Sequence, residues 1–275
     1  MSKTLPRTLS TMGKLTAICL ATFLATTAHA QPVPAPRSYD CYRTKTPIRI
    51  DGKLDDPAWK KAKWTSDFVD IEDAKKPGDA KKPGDAKKPG GAAKPTPRFR
   101  TRAKMLWDDH YLYIAADLEE PNVTATLTKH DSVIFKDNDF EVFIKPLPET
   151  ESYYEFEMNA LNTGWDLFLP KPYSEGGKPD NSWDIAGLKT SVAVQGTLNN
   201  SNDTDKGWTL EIAYPLTAFN SRQQVPLPKK GTVWRINFSR VEWTLGNPKE
   251  DNWVWSPQGV INMHVPERWG YLHFR

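Results

Sequence analysis

The chain has 275 residues, 37 basic and 34 acidic side chains, a formal charge of +3, eleven tryptophans and two cysteines. This length suits one large domain or two small ones. A charge so close to neutral disfavours nucleic acid, which selects a basic surplus, and the tryptophan content asks for a broad aromatic core or an aromatic binding face.

Residues 1–30 carry Lys3, Arg7 and Lys14, an apolar run from Leu15 to Ala25, and the small-residue end Ala28-His29-Ala30. They read as a cleavable export signal, cut after Ala30, so the mature domain is expected over 31–275 in the periplasm or outside the cell. The apolar run is too short to span a bilayer and no other segment is long enough, so no transmembrane segment is expected. Removal of the signal leaves Cys41 alone, which excludes an intramolecular disulfide framework and a cysteine metal cluster, and brings the net charge to about zero.

Residues 73–96 contain three tandem copies of DAKKPG, with seven lysines against three aspartates over Asp73 to Lys94 and a Pro-Gly break every sixth position. Such composition predicts a disordered low-complexity loop, with a cationic tether to cell-surface glycan as its functional reading and repeat slippage as the bland one. The rest of the chain alternates with period two over Phe99 to Trp107, Tyr111 to Leu118, Phe140 to Lys145, Tyr153 to Asn159, Trp208 to Ala213 and Val233 to Glu242,. Only Pro57 to Lys63 and Pro215 to Asn220 resemble short helices,. Many strands without long helices predict an all-β fold, a single β-sandwich of immunoglobulin-like type.

Alternation assigns faces. Phe140, Val142 and Ile144 fall on one side of their strand, with Glu141 and Phe143 on the other. Tyr154, Phe156 and Met158 separate in the same way from Tyr153, Glu155, Glu157 and Asn159, and Trp234, Ile236 and Phe238 from Arg235, Asn237 and Ser239. A face with carboxylates and amides opposite a packed face suits hydroxyl-rich ligands, because each hydroxyl wants a donor and an acceptor while the sugar ring's C–H face wants an aromatic surface. An ordinary solvated sheet face with cross-strand pairs is the alternative.

Five stretches in order, PIRIDGKLDDPAW (Pro47 to Trp59), AKMLWDDHYLYIAADLEEP (Ala103 to Pro121), DNDFEVFIKP (Asp137 to Pro146), YYEFEMNALNTGWD (Tyr153 to Asp166) and PERWGYLHF (Pro266 to Phe274), make the chain similar to family 9 carbohydrate-binding modules. The resemblance implies a DOMON-like β-sandwich that binds polysaccharide or oligosaccharide without catalysis, often attached to glycoside hydrolases. It implies that the acidic residue of the family's site is Glu141. The two tryptophans with which relatives clamp a terminal sugar stand at Phe135 and Met263, and an arginine of their site at Glu157. The candidate ligand face is therefore Phe135, Glu141, Glu157, Asn159, Asn237, Met263 and His264, with Trp255 and Trp269 as packing residues. Family members bind calcium, which makes Asp137, Asn138 and Asp139 a conceivable calcium loop; no other cofactor is expected.

Two other functions were open on the residues alone. Carboxylate pairs such as Asp139 with Glu141, or Glu155 with Glu157, fit the acid and base of a glycoside hydrolase, although no GxSxG, HExxH, Walker A or GxGxxG motif is present. A haem-carrying electron-transfer domain would use Met with His or Lys. Met263 and His264, adjacent on an expected strand, would point to opposite sides and could not share one iron.

Overall fold

The computed structural model describes Met1 and residues 34–73, 97–244 and 248–275. The export signal and the DAKKPG copies lie outside the described residues, Asp73 apart. Every strand falls in the compact unit Pro32–Arg275.

Among the described residues twelve strands run in chain order: β1 (Ser38–Arg43), β2 (Val69–Asp70), β3 (Thr101–Trp107), β4 (Tyr111–Glu119), β5 (Asp139–Lys145), β6 (Tyr153–Asn159), β7 (Gly164–Leu169), β8 (Lys189–Gln195), β9 (Gly207–Pro215), β10 (Val233–Glu242), β11 (Asp251–Val254) and β12 (Gly270–Phe274). Their spatial order is β7-β6-β5-β10-β12-β1-β3-β4-β9-β8. Strand β1 joins the two halves: Ser38 to Cys41 pair in parallel with β12, and Tyr42 and Arg43 with β3. The far edge of β10 is shared, β12 taking Val233 to Ile236 and β11 taking Ser239 to Glu242. The expected β-sandwich is therefore one ribbon folded on itself at β1.

The period-two pattern supplies the core. Phe140, Val142 and Ile144 from β5, Tyr154, Phe156 and Met158 from β6, and Trp234, Ile236 and Phe238 from β10 meet Met105 of β3, Ile114 of β4 and Leu210 and Ile212 of β9 in one buried cluster. Trp255 joins it, and Gly270 is what admits the indole, since a Cβ there would lie 2.3 Å from the ring. A second cluster covers the outer face of β3, β4 and β9, where Trp59 and Ala58 lie over Leu106, Tyr113 and Ala213.

That cover comes from the PIRIDGKLDDPAW stretch, pinned by one buried carboxylate. Glu211 accepts hydrogen bonds from the amides of Asp51 (2.9 Å) and Gly52 (2.8 Å) and from Trp59 Nε1 (2.6 Å). Gly52 makes the turn possible with φ at +80°, and a Cβ there would strike the backbone of Val192 at 2.6 Å,. The helix expected over Pro57 to Lys63 is not formed. The segment is a run of turns with bonds from Trp59 N–H to Asp56 O and from Lys61 N–H to Ala58 O, in which Glu211 accepts from the Trp59 indole N–H and Lys104 Nζ donates to the Trp59 carbonyl. The other expected helix is a 3-10 helix over Leu216–Ser221. None of the described helices is long and apolar enough to cross a membrane.

Candidate functional site

The face of β5, β6, β7 and β10 turned away from the core carries the site. Register lines side chains up across four strands: Ser239 pairs with Glu141, Glu141 with Glu157, and Glu157 with Trp165. The next row is Asn237, Phe143, Glu155 and Leu167. A third apolar cluster of Phe143, Tyr153, Leu167, Leu169 and Trp269 packs on this outer face, with Trp165 and Met263 at its margin. The Trp269 ring lies 5.4 Å from Phe143 and 5.0 Å from Tyr153, so it is packing, as expected.

Beside this cluster opens a pocket of about 430 Å³ whose floor includes Glu141, Glu155 and Glu157 and whose walls include Phe135, Trp165, Tyr173 and Met263. Its volume falls in the range of about 300–1,000 Å³ usual for small-molecule clefts. Phe135, 38% exposed, sits in the 3-10 turn Ile134–Lys136, and its ring tilts by 33° against Trp165 at 6.3 Å. Two backbone contacts hold it: its N–H donates to Glu157 Oε2 (3.1 Å) and its carbonyl accepts from Trp243 Nε1 (2.8 Å). Opposite, His264 is hydrogen-bonded through Nδ1 to the Tyr153 hydroxyl at 2.8 Å and meets the Tyr173 ring edge-on at 4.5 Å.

Burial sets the charge state of this floor. It pushes the Glu141 carboxyl up to about 7, and pushes Asp139, Glu155 and Glu157 well above the usual carboxylate range, with the neighbouring Glu141 charge next in effect for those three,. Burial lowers His264 to about 4, so the imidazole is neutral at pH 7. A floor of partly protonated carboxyls both donates and accepts hydrogen bonds, which charged carboxylates alone cannot do.

Of the seven residues picked out by sequence, Phe135, Glu141, Glu157, Met263 and His264 all line this pocket. Asn159 and Asn237 lie outside it, with their amides engaged by backbone and, for Asn159, also by the Asp137 carboxylate. Asn159 Nδ2 donates to Leu127 O and Asp137 Oδ2 while its Oδ1 accepts from Leu161 and Thr163 N–H. Asn237 exchanges two bonds with the backbone of Ser256. Met263 and His264 are not on opposite sides of a strand, because residues 255–265 contain no strand and both side chains reach the same pocket. The would-be calcium loop does not converge either: Asp137 caps the amides of Thr126 and Leu127, Asn138 Oδ1 accepts from Trp243 N–H, and Asp139 Oδ1 accepts from Val241 N–H. Sequence reasoning missed Trp165 and Tyr173. The hairpin register around Ala160 to Thr163, read from the Tyr153–Asn159 strand onward, would have set Trp165 beside Glu157.

A family model for carbohydrate family 9 binding domain-like proteins matches residues 50–275. The chain belongs to that family. Among relatives of the family 9 domain, the exoglucanase XynX of Acetivibrio thermocellus is 28% identical over 116 residues, 42% of this chain, and the endo-1,4-beta-xylanase A of Thermoanaerobacterium saccharolyticum is 26% identical over 130 residues, 47% of this chain. The matched region spans 9% of each enzyme's length. Three solved structures share the fold at 16% identity. A candidate carbohydrate-binding protein from Bacteroides uniformis has a TM-score of 0.61, covering 88% of this chain and all of the other. A family 9 module from Caldicellulosiruptor kristjanssonii has a TM-score of 0.53 both with cellotriose and with glucose, covering 86% of this chain and 93% or 95% of the other.

Proposed function

We propose that this domain binds carbohydrate without cleaving it, in the pocket on the outer face of β5, β6 and β7. The observation that carries the reading is the pairing of an aromatic wall, Phe135 and Trp165, with an acidic floor, Glu141, Glu155 and Glu157. A pyranose presents an apolar C–H face to such a wall and hydroxyls to such a floor. Family membership and solved neighbours in complex with cellotriose and glucose support the ligand class. Export through the segment ahead of Gln31, a mature domain over 31–275, and action beside glycoside hydrolases or on cell-surface glycan belong to the same reading; the lysine-rich copies of DAKKPG would add a tether. The test is a glycan array on the mature chain: hits among plant, algal or bacterial polysaccharides are expected, and silence across all three classes would overturn it.

A second reading has one observation in its favour. Glu141 faces Glu157 across a strand pair with its carboxyl raised to about 7, a value suited to a general acid,. Hydrolysis also needs an ionised partner, whereas burial raises Glu157 as well. Release of reducing ends from an array hit, abolished by Glu141→Gln, would select the hydrolase.

A further inference from the structure

The pocket has an imbalance of charge that hydroxyl binding alone leaves unused. Four carboxyl side chains line it, Glu141, Glu155, Glu157 and Glu250, and among its described lining residues there is no lysine or arginine to balance them. Glu141 stands directly opposite Glu157 and diagonal to Glu155, so three of the four share one patch of floor,. Glu141 and Glu155 are each 3% exposed, and in both the Oε2 atom finds no hydrogen-bond partner among the described residues. The imidazole beside Glu155 does not fill this gap. His264 Nδ1 lies 3.9 Å from Glu155 Oε2, beyond hydrogen-bond reach, is already bonded to the Tyr153 hydroxyl, and belongs to a ring that burial keeps neutral at pH 7,. Buried acceptors without a donor are unfavourable, and a crowd of like-charged ones more so.

We infer that the sugar this pocket selects carries a free amine, which as an ammonium sits between Glu141 and Glu155 with Glu250 at its margin. The inference rests on the carbohydrate reading above and names the substrate class within it. An ammonium brings three N–H donors and a full positive charge, where a hydroxyl brings one donor and no charge. Two of those donors match the two unpartnered oxygens. The walls suit the same ligand, because the aromatic rings of Phe135, Trp165 and Tyr173 attract a cation through their faces and pack on the C–H face of a pyranose,.

Other sugar classes match the floor less well. An N-acetylated amine is neutral, offers one N–H, and adds a carbonyl acceptor to a site already rich in acceptors. A uronic acid adds a fifth carboxyl and is repelled. A neutral hexose leaves the floor to hold its protons, since burial and neighbouring charge raise Glu141, Glu155 and Glu157. A bound cation relieves that pressure by favouring the ionised carboxylates.

The experiment titrates the mature chain by calorimetry with β-1,4-linked trimers of glucosamine, N-acetylglucosamine and glucose, at about pH 6.5, where a sugar amine is protonated. The glucosamine trimer should bind at least about tenfold more tightly than either neutral trimer, the margin of a charge-assisted hydrogen bond over a neutral one. Glu155→Gln keeps the shape and removes the charge, and should cut the ratio of glucosamine-trimer to glucose-trimer affinity at least about fivefold. Glu250→Gln, at the half-buried margin, should cut it about two- to threefold. Melting curves show that the variants fold, and if Glu155→Gln does not, Glu250→Gln alone decides. A glucosamine trimer that binds no better than the glucose trimer, or a ratio unchanged in the folded variants, would overturn the amine and leave the carbohydrate reading intact. Trilysine binding as tightly as the glucosamine trimer would also overturn it, because the pocket would then answer to charge and not to sugar. Silence of all three trimers together with a silent glycan array would remove the carbohydrate reading and this inference with it.

Discussion

Phe135→Ala tests the aromatic wall more cleanly than any other change, because both contacts that fix this turn are made by backbone atoms. The Phe135 N–H on Glu157 and the Trp243 Nε1 on the Phe135 carbonyl survive the substitution. Only the ring is removed. If one ring face covers about 60–80 Å² of a pyranose, at about 25 cal/mol per Å² the loss is about 1.5–2 kcal/mol, or a Kd weaker by about ten- to thirtyfold. The ring is 38% exposed and makes one tilted aromatic contact, with Trp165 at 6.3 Å. Folding stability should therefore fall by only about 1 kcal/mol, a Tm drop of about 2–4 °C for a domain this size. The assay is calorimetric titration of the array hit with melting curves on the same samples. A Kd within threefold of the parent would show that the wall touches no ligand; a Tm loss above about 8 °C would show that the ring supports the fold.

Other expectations bear on neighbouring features. Met263→Ala should weaken the same ligand with a modest loss of stability, since Met263 is half-buried at the margin of the outer cluster; a loss above about 4 kcal/mol by denaturant titration, in the range for a core truncation, would make it core instead. Glu211→Ala removes three hydrogen bonds from a buried carboxylate and should destabilise the domain by about 3–6 kcal/mol at roughly 1–2 each, with urea melts as the check. Glu120 shares Arg240 with Glu242, and burial, with the Glu242 charge next in effect, raises Glu120 to about 8. Its folded pKa exceeds the ordinary value of 4.5, so the folded state binds the extra proton and this contribution to stability is full below about pH 4.5 and lost as pH rises through about 8. Glu120→Gln should flatten that loss in urea melts taken from pH 5 to 9, and an unaltered pH profile would refute it.

What was legible follows from which forces the sequence writes down. Strands β6 and β10 appear with the expected limits, and β5, β4, β3 and β9 shift by only one or two residues at their ends, because one face of each is apolar at strict period two,. Strands β7 and β8 escaped. In β7, Trp165, Leu167 and Leu169 face the outer cluster while Phe168 packs on the main core, so apolar residues occur on both faces and the alternation disappears. In β8, no residue is fully buried, so burial leaves little pattern to read. The pocket was half legible: strand parity set Glu141 and Glu157 on one face, but the distance from Trp165 and Tyr173 to that face depends on a turn and a loop whose conformation no periodicity encodes. Asn159 and Asn237 share that face by parity, but nearby backbone amides and carbonyls, and Asp137 for Asn159, engage them through long-range contacts that parity does not encode.

Part of what carries the family resemblance lies away from the pocket, although YYEFEMNALNTGWD supplies Glu155, Glu157 and Trp165 to it. In PIRIDGKLDDPAW, Asp51, Gly52 and Trp59 all converge on Glu211, on the outer face of the half-sheet opposite the one that carries the pocket. In DNDFEVFIKP, Asp137 ties Thr126, Leu127 and Asn159 together, and Asn138 holds Trp243 N–H; only Glu141 faces the pocket. These contacts fix backbone geometry and place the loops, so changing one deforms every strand it joins. Phe135, Tyr173, Ile261 and Met263 lie on short turns and irregular stretches, and Phe135, Tyr173 and Met263 are hydrogen-bonded through backbone atoms. Their side chains can change without disturbing the frame. On the proposed function, exchanging the turn around Phe135 and the segment 256–265 between family members should transfer specificity while leaving the melting temperature close to that of the recipient.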